Sequence, residues 1–136
     1  MDEIFRRGTC RYFKEKTPVP DEDLLTLVKA GMQARAVGNQ KSRDFIIVTR
    51  EDLVKAISHN SIIAGPARKA SAAIVIVGKK DGISFPEEWT FDCAAAAQNI
   101  LIEAEHLELS TLWMQVYPYQ DRKVHLDHIL DIPDEL

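Results

Sequence analysis

The stretch over residues 92–105, Asp-Cys-Ala-Ala-Ala-Ala-Gln-Asn-Ile-Leu-Ile-Glu-Ala-Glu, is the longest run in the chain that keeps a helical period without Pro or Gly. Cys93, Ala97, Ile100, Leu101, Ala104 and Leu107 recur at i, i+3/i+4 and i+7, which predicts one apolar stripe. Asp92 reads as the N-cap, its carboxylate accepting free backbone N–H groups and complementing the positive helix end. Four alanines in succession leave the first turn thin on every side, so other backbones can approach it closely. A helix of this kind belongs at the centre of a domain, against a sheet or a second subunit.

The rest of the chain supplies a sheet for it. Residues 44–49 and 72–78 are short, β-branched and apolar on both faces, as strands under a covering layer are. Residues 109–116 read as a third strand. Helices are predicted over residues 2–7, from Asp21 to Met32 with Leu24, Leu27, Val28 and Met32 inward, over 51–58 with Leu53, Val54 and Ile57 inward, and over 120–130. Pro18 and Pro20 fix the entry to the second of these, and Asp21 reads as its cap. Residues 33–43 form a polar loop with Gly38-Asn39 as a turn pair, and it is long enough to carry function. Residues 59–65 and 79–88 read as irregular. The order strand, helix, strand, helix, strand predicts a single domain over residues 1–136, an α/β sandwich. Three strands are few for this many helices, so a further strand is expected from a missing segment or another chain.

At 136 residues and 46% hydrophobic, the chain has enough apolar content for one core. A net charge of −4 argues against nucleic acid as the main partner, since phosphate binding needs a basic surface. No run approaches the roughly 18 apolar residues of a membrane span, and the Met-Asp-Glu-Ile start lacks a secretory pattern. Two cysteines without metal-like spacing suggest a reducing cytoplasm.

Three segments could carry chemistry. In extended chain Arg7, Thr9 and Arg11 point to one side, two guanidinium forks and a hydroxyl suited to a phosphate or other polyanion. The alternative is a solvated basic turn, or arginines paired with acidic neighbours such as Glu3. In the loop, Asn39 offers a carbonyl and an amide, and Arg35, Lys41 and Arg43 add positive charge; the alternative is an ordinary polar connection. Trp113-Met114-Gln115 ends the third strand where a planar ligand could meet side chains and backbone N–H groups, or simply closes the core. His125 and His128 are an i, i+3 pair lacking a third ligand, so no metal is expected. Cys93 lies inside a helix, away from the exposed, low-pKa setting of a nucleophile. No P-loop, GxGxxG, GxSxG or HExxH occurs.

Taken in order, these segments resemble the nitroreductase family of FMN-dependent oxidoreductases. Residues 4–13 are similar to the family's "RRSxRxF" hook, and Gly31 through Val48 to its "APSxxNxQPWxF" block. Residues 89–99 resemble "W..DcaaAaqNi", the most specific match, and residues 107–118 follow "aLGLGTxWIGvyP". The resemblance implies an α+β fold, a nitroreductase-like α/β/α sandwich with a mixed or antiparallel sheet flanked by helices, that forms a homodimer with FMN at the subunit interface. By position it implies cofactor-binding roles for Arg7, Gly8, Thr9, Arg11, Arg35, Ala36, Asn39, Lys41, Trp113, Met114 and Gln115. Arg7 and Thr9 meet the phosphate and ribityl chain. Arg11 sits near flavin N1 and O2, and the Met114–Gln115 backbone faces N5, so Arg11 and Gln115 tune the flavin. Residues 35–39 and Lys41 come from the other subunit. The implied reaction passes electrons from NADH or NADPH through FMN to a nitroaromatic, quinone or similar small acceptor. Where the family carries Pro-Ser, this chain has Arg35-Ala36. It has Lys41 for Gln, Ser42-Arg43 for Pro-Trp, and Glu108 and Ser110 for two glycines, and it ends before the family's C-terminal segment. These departures motivate the alternative of a flavin-free binding or regulatory relative.

Overall fold

Alternation along two strands sets the layers. The computed structural model describes residues 2–13, 17–79 and 81–133. β1 (Arg43–Val48) and β2 (Ala73–Gly78) pair antiparallel, with Phe45 opposite Ile76 and Ile47 opposite Ile74. These four side chains face one side and pack on Leu24 and Leu27 of α2 (Asp21–Met32) and Ile100 and Ala104 of α4 (Trp89–His106). Ile46, Val48, Ala73 and Val75 face the other way, onto Val54 and Ile57 of α3 (Glu51–Ser58) and Leu126 of α5 (Gln120–Leu130). A strand that buries both faces reads as a continuous apolar run, which is how these two read. The α+β sandwich is therefore a helix pair, a sheet and a second helix layer. α1 (Asp2–Arg6) packs against α4.

Several boundaries differ from the sequence expectation. Residues 109–116 are extended, yet only Thr111 enters a bridge, parallel to Thr9. Met114 and Val116 face the α3/α5 core while Trp113 and Gln115 face out, so the period of two holds. A ladder needs a partner edge, and among the described residues this segment meets one only at Thr9. α4 begins three residues earlier than expected, after a short 3₁₀ turn at Pro86–Glu88. Asp92 therefore lies inside its first turn and is no N-cap. The buried stripe is Asp92, Ala96, Ile100 and Ala104, not the one through Cys93 and Ala97. Asp21 is likewise the first helical residue, Pro20 preceding it as N-cap. The irregular stretch after α3 contains a 3₁₀ turn at Ile62–Lys69. Of the expected loop over 79–88, residue 80 lies outside the described residues.

Two contacts fix how α4 meets its surroundings. A Cβ at Gly78 would come within 2.1 Å of the Trp89 indole, so the end of β2 approaches α4 more closely than a side chain permits. Trp89 in turn meets Tyr117 edge-on at 4.8 Å. At its other end α4 closes with the N–H of Leu109 donating to Ala104 O at 2.8 Å and that of Glu108 to Glu105 O at 3.0 Å, a Schellman motif. Glu108 sits there at φ 60°, where a side chain is strained and where the resembling pattern carries glycine. Glu108→Gly is expected to raise stability by about 0.5–1 kcal/mol, the relieved strain exceeding the added freedom of the unfolded chain. A higher urea midpoint at unchanged m-value checks it.

Candidate functional site

The hook leaves α1 after Arg6, with the Arg7 N–H donating to Glu3 O at 2.9 Å. Thr9 then bridges Thr111 in parallel, and the Cys10 N–H donates to Thr111 O at 2.7 Å. Arg7 is half-buried; Gly8, Thr9 and Arg11 are exposed. The acidic partners go to Arg6 instead, at 3.9 Å from Glu3 and 3.8 Å from Glu105. The pairing with Glu3 that competed with an anion site thus falls on the neighbouring arginine.

Trp113, Met114 and Gln115 line a cavity of about 490 Å³ together with Ser61, Ile63, Ala64 and Arg122. Arg122 donates through Nη1 to Gln115 O at 2.8 Å, and its guanidinium lies 4.1 Å from the centre of the Tyr119 ring. The Gln115 side chain turns to Tyr117 O at 3.0 Å, leaving Ile63, Trp113 and Met114 as the cavity's large apolar groups. Asn60 donates to Arg122 O at 2.9 Å and meets His125 Nδ1 at 3.1 Å, tying α5 to the end of α3. Sequence reading missed Ser61, Ile63 and Arg122. They come from two elements far apart in the chain, and an arginine in a first helical turn has the pattern of a solvated residue.

The loop before β1 is anchored by the residue that had been read as a cap. Asp92 is 1% exposed. Its Oδ1 accepts from the Val37 N–H at 2.9 Å, and its Oδ2 from Gln40 Nε2 at 2.8 Å and Ser42 Oγ at 2.5 Å. Burial works to raise its pKa, but the bonds from Gln40, Ser42 and Val37 and the charge of Arg43 prevail and hold it below the ordinary carboxylate range. Gln40 also pairs with the backbone of Phe85, accepting from its N–H at 2.9 Å and donating to its carbonyl at 3.1 Å. Arg43, expected to join the anion cluster, instead donates to Asp92 O at 2.7 Å and Ala34 O at 3.0 Å. Its guanidinium is occupied in closing the loop.

Within this loop Gly38 and Asn39 both take left-handed conformations, φ 59° and 55°. Gly38 is required twice over, since a Cβ there would also stand 2.7 Å from the Phe85 ring. Arg35, Asn39 and Lys41 are exposed, and Ala36 is half-buried. Gly38, Gln40 and Lys41 line a second cavity of about 380 Å³ with Lys79 and Asp81. One chain therefore presents two groups of the expected residues: the hook beside Trp113–Gln115, and the loop at a separate cavity. Cys93 is pushed up to about 11 by burial and is an uncharged thiol at neutral pH. Among the described residues no three His, Cys, Asp or Glu side chains gather as a metal site, and no helix is long and apolar enough to cross a membrane.

No family model matches the chain. A protein of Archaeoglobus fulgidus named "Putative NADH dehydrogenase/NAD(P)H nitroreductase" is 32% identical over 134 residues, 98% of this chain and 76% of that protein. The solved structure of a "Putative NADH Oxidase" from Clostridium acetobutylicum superimposes with a TM-score of 0.93 at 31% identity, over 98% of this chain and 80% of its own. A "putative nitroreductase in complex with fmn" from Desulfovibrio desulfuricans shares the fold with a TM-score of 0.79 at 20% identity, over 96% of this chain and 73% of its own.

Proposed function

The chain belongs to the nitroreductase family, and on that premise we propose that it is an FMN-dependent oxidoreductase. It takes electrons from NADH or NADPH and passes them to a nitroaromatic, quinone or similar small acceptor. The observation that carries this reading is the Thr9–Thr111 bridge, which brings the hook alongside the segment that lines the cavity of about 490 Å³. That volume lies within the roughly 300–1,000 Å³ of small-molecule sites. The lining mixes an indole and a thioether with a guanidinium and a hydroxyl, which suits a planar ring with polar edges.

FMN, when bound, would supply the redox chemistry that links the reduced nicotinamide to the second substrate. The protein's part is to bind and to orient. Arg7 and Thr9 hold the phosphate and the ribityl chain through charge-assisted and hydroxyl hydrogen bonds. Arg11 places a cation where negative charge develops on reduction. The backbone at Met114–Gln115 would hold the ring's N5 edge, and Arg122 fixes that backbone through Gln115 O. Asn39 and Lys41 reach the flavin of a second copy, with Arg35 and Ala36 beside them.

A homodimer follows from that division of the site. Its support is the exposed apolar surface, with Phe5 87%, Phe91 67% and Ile62 99% accessible. Large apolar side chains left open to solvent are the kind that a second chain would cover. Phe91, Ala94 and Gln98 form an exposed face of α4 at helical spacing, and the small Ala94 lets another backbone approach. A cytoplasmic location, expected from the two free cysteines, belongs to the same proposal.

The test is a titration of purified protein with FMN. Saturation at about 100 times Kd is expected to stabilise the fold by roughly 2.7 kcal/mol, seen as a thermal shift. The protein should also retain flavin absorbance through gel filtration at a dimer's elution volume. Colourless protein with an unchanged melting temperature would overturn the proposal in favour of a flavin-free relative.

A further inference from the structure

We propose that Asp92 is a positioning residue for the flavin site, acting through Asn39. The inference rests on the function proposed above. It adds a buried group, bonded to chain neighbours of Asn39 and itself assigned no contact with the cofactor, that sets the geometry of that residue.

The loop has a strict alternation. Gln40 and Ser42 turn inward to the Asp92 carboxylate, while Asn39 and Lys41 on either side of Gln40 are exposed. Val37, the third donor to Asp92, opens the turn in which Gly38 and Asn39 are left-handed. An asparagine at positive φ persists where its surroundings over-determine it. Here they do so three times: the carboxylate of Asp92, the backbone of Phe85 on Gln40, and Arg43 joining Ala34 O to Asp92 O. The loop holds its shape without contributing a large apolar side chain to either core. Its order comes from polar bonds that converge on one helix residue, so α4 dictates where the Asn39 amide points. A ligand that hydrogen-bonds this amide meets it already placed and spends little affinity ordering it.

The experiment compares FMN dissociation constants for the wild type, Asn39→Ala, Asp92→Asn, Gln40→Ala and the double variants with Asn39→Ala, alongside amide exchange over residues 37–42. Asp92→Asn keeps the shape but turns one acceptor into a donor facing Gln40 and Ser42. Both latch variants should weaken FMN on the order of tenfold, the scale of a lost supporting contact, with faster exchange in the loop. Each double variant should bind no more weakly than Asn39→Ala alone, because a latch that acts through Asn39 has nothing left to position. Gln40 is half-buried, so Gln40→Ala carries the test if Asp92→Asn does not fold. Wild-type affinity in both latch variants, or effects that multiply with Asn39→Ala, overturn the inference while leaving the flavin function standing. Wild-type protein that binds no FMN overturns both.

Discussion

Asp92→Ala is expected to lower the unfolding free energy by about 3–5 kcal/mol at pH 7, the scale of a buried polar network that loses one charged partner. The carboxylate is the common acceptor for the Val37 N–H, Gln40 Nε2 and Ser42 Oγ. Ser42 is 0% exposed and cannot turn to water when Asp92 is removed. Each donor left without a partner costs about 1–3 kcal/mol when buried, and partial rehydration of Gln40 brings the sum back into that range. For a domain whose total stability is roughly 5–15 kcal/mol, the loss is large. Urea denaturation of the two proteins at pH 7 measures it, and a difference below 1 kcal/mol would remove Asp92 from the network.

The same group sets a pH dependence. Its folded pKa is depressed, so its contribution is complete above the unfolded carboxyl value of about 3.9 and is lost as pH falls through the lower folded value. The gap between wild type and Asp92→Ala should therefore be flat from neutrality down to about pH 5 and close in acid.

The misreading of Asp92 shows where sequence patterns stop being informative. An aspartate before an alanine run has the signature of a cap, and helical period alone cannot place the start of a helix to within a turn. The apolar Trp89-Thr90-Phe91 after Pro86 was the available sign that α4 begins earlier, since proline favours first turns. What Asp92 binds lies about 50 residues away, and no local pattern reports it. Ser42 and Gln40 carried no signal either, being ordinary loop residues by composition. By contrast β1, β2, α2, α3 and α5 were legible, because a strand apolar on both faces and a one-sided helix each admit one burial solution. The third strand was legible as extended chain but not as a ladder, since pairing depends on an edge that a period of two does not reveal. At the hook, the pattern placed Arg7, Thr9 and Arg11 on one segment, while the Thr9–Thr111 bridge that sets this segment beside Trp113 is a tertiary fact.

The double variant Arg7→Ala/Arg11→Ala is expected to weaken FMN binding by a factor of about 100 or more, and this prediction rests on the proposed function. A hydrogen bond to a charged group contributes about 1.5–3 kcal/mol, and a factor of ten is about 1.4 kcal/mol. Four residues of extended chain would span about 13 Å along the backbone between the two arginines. They therefore serve different ends of the ligand, and their losses should nearly add. Arg6→Ala is the matched control: its pairs with Glu3 and Glu105, at 3.9 and 3.8 Å, are exposed and loose. Such pairs contribute about 0–1 kcal/mol to stability, and none of it to the cofactor. A flavin titration of the three proteins reads the difference, with Arg6→Ala staying within about twofold of the wild type. Arg11→Ala alone carries a second signature. A cation beside flavin N1 favours the anionic reduced form, so its removal should make the bound flavin harder to reduce, whereas Arg7→Ala should cost affinity with little change in potential. Equal losses from Arg6→Ala and the double variant would mean that the hook contributes general positive charge, and the assignment of Arg7 to the phosphate and Arg11 to the ring would fall.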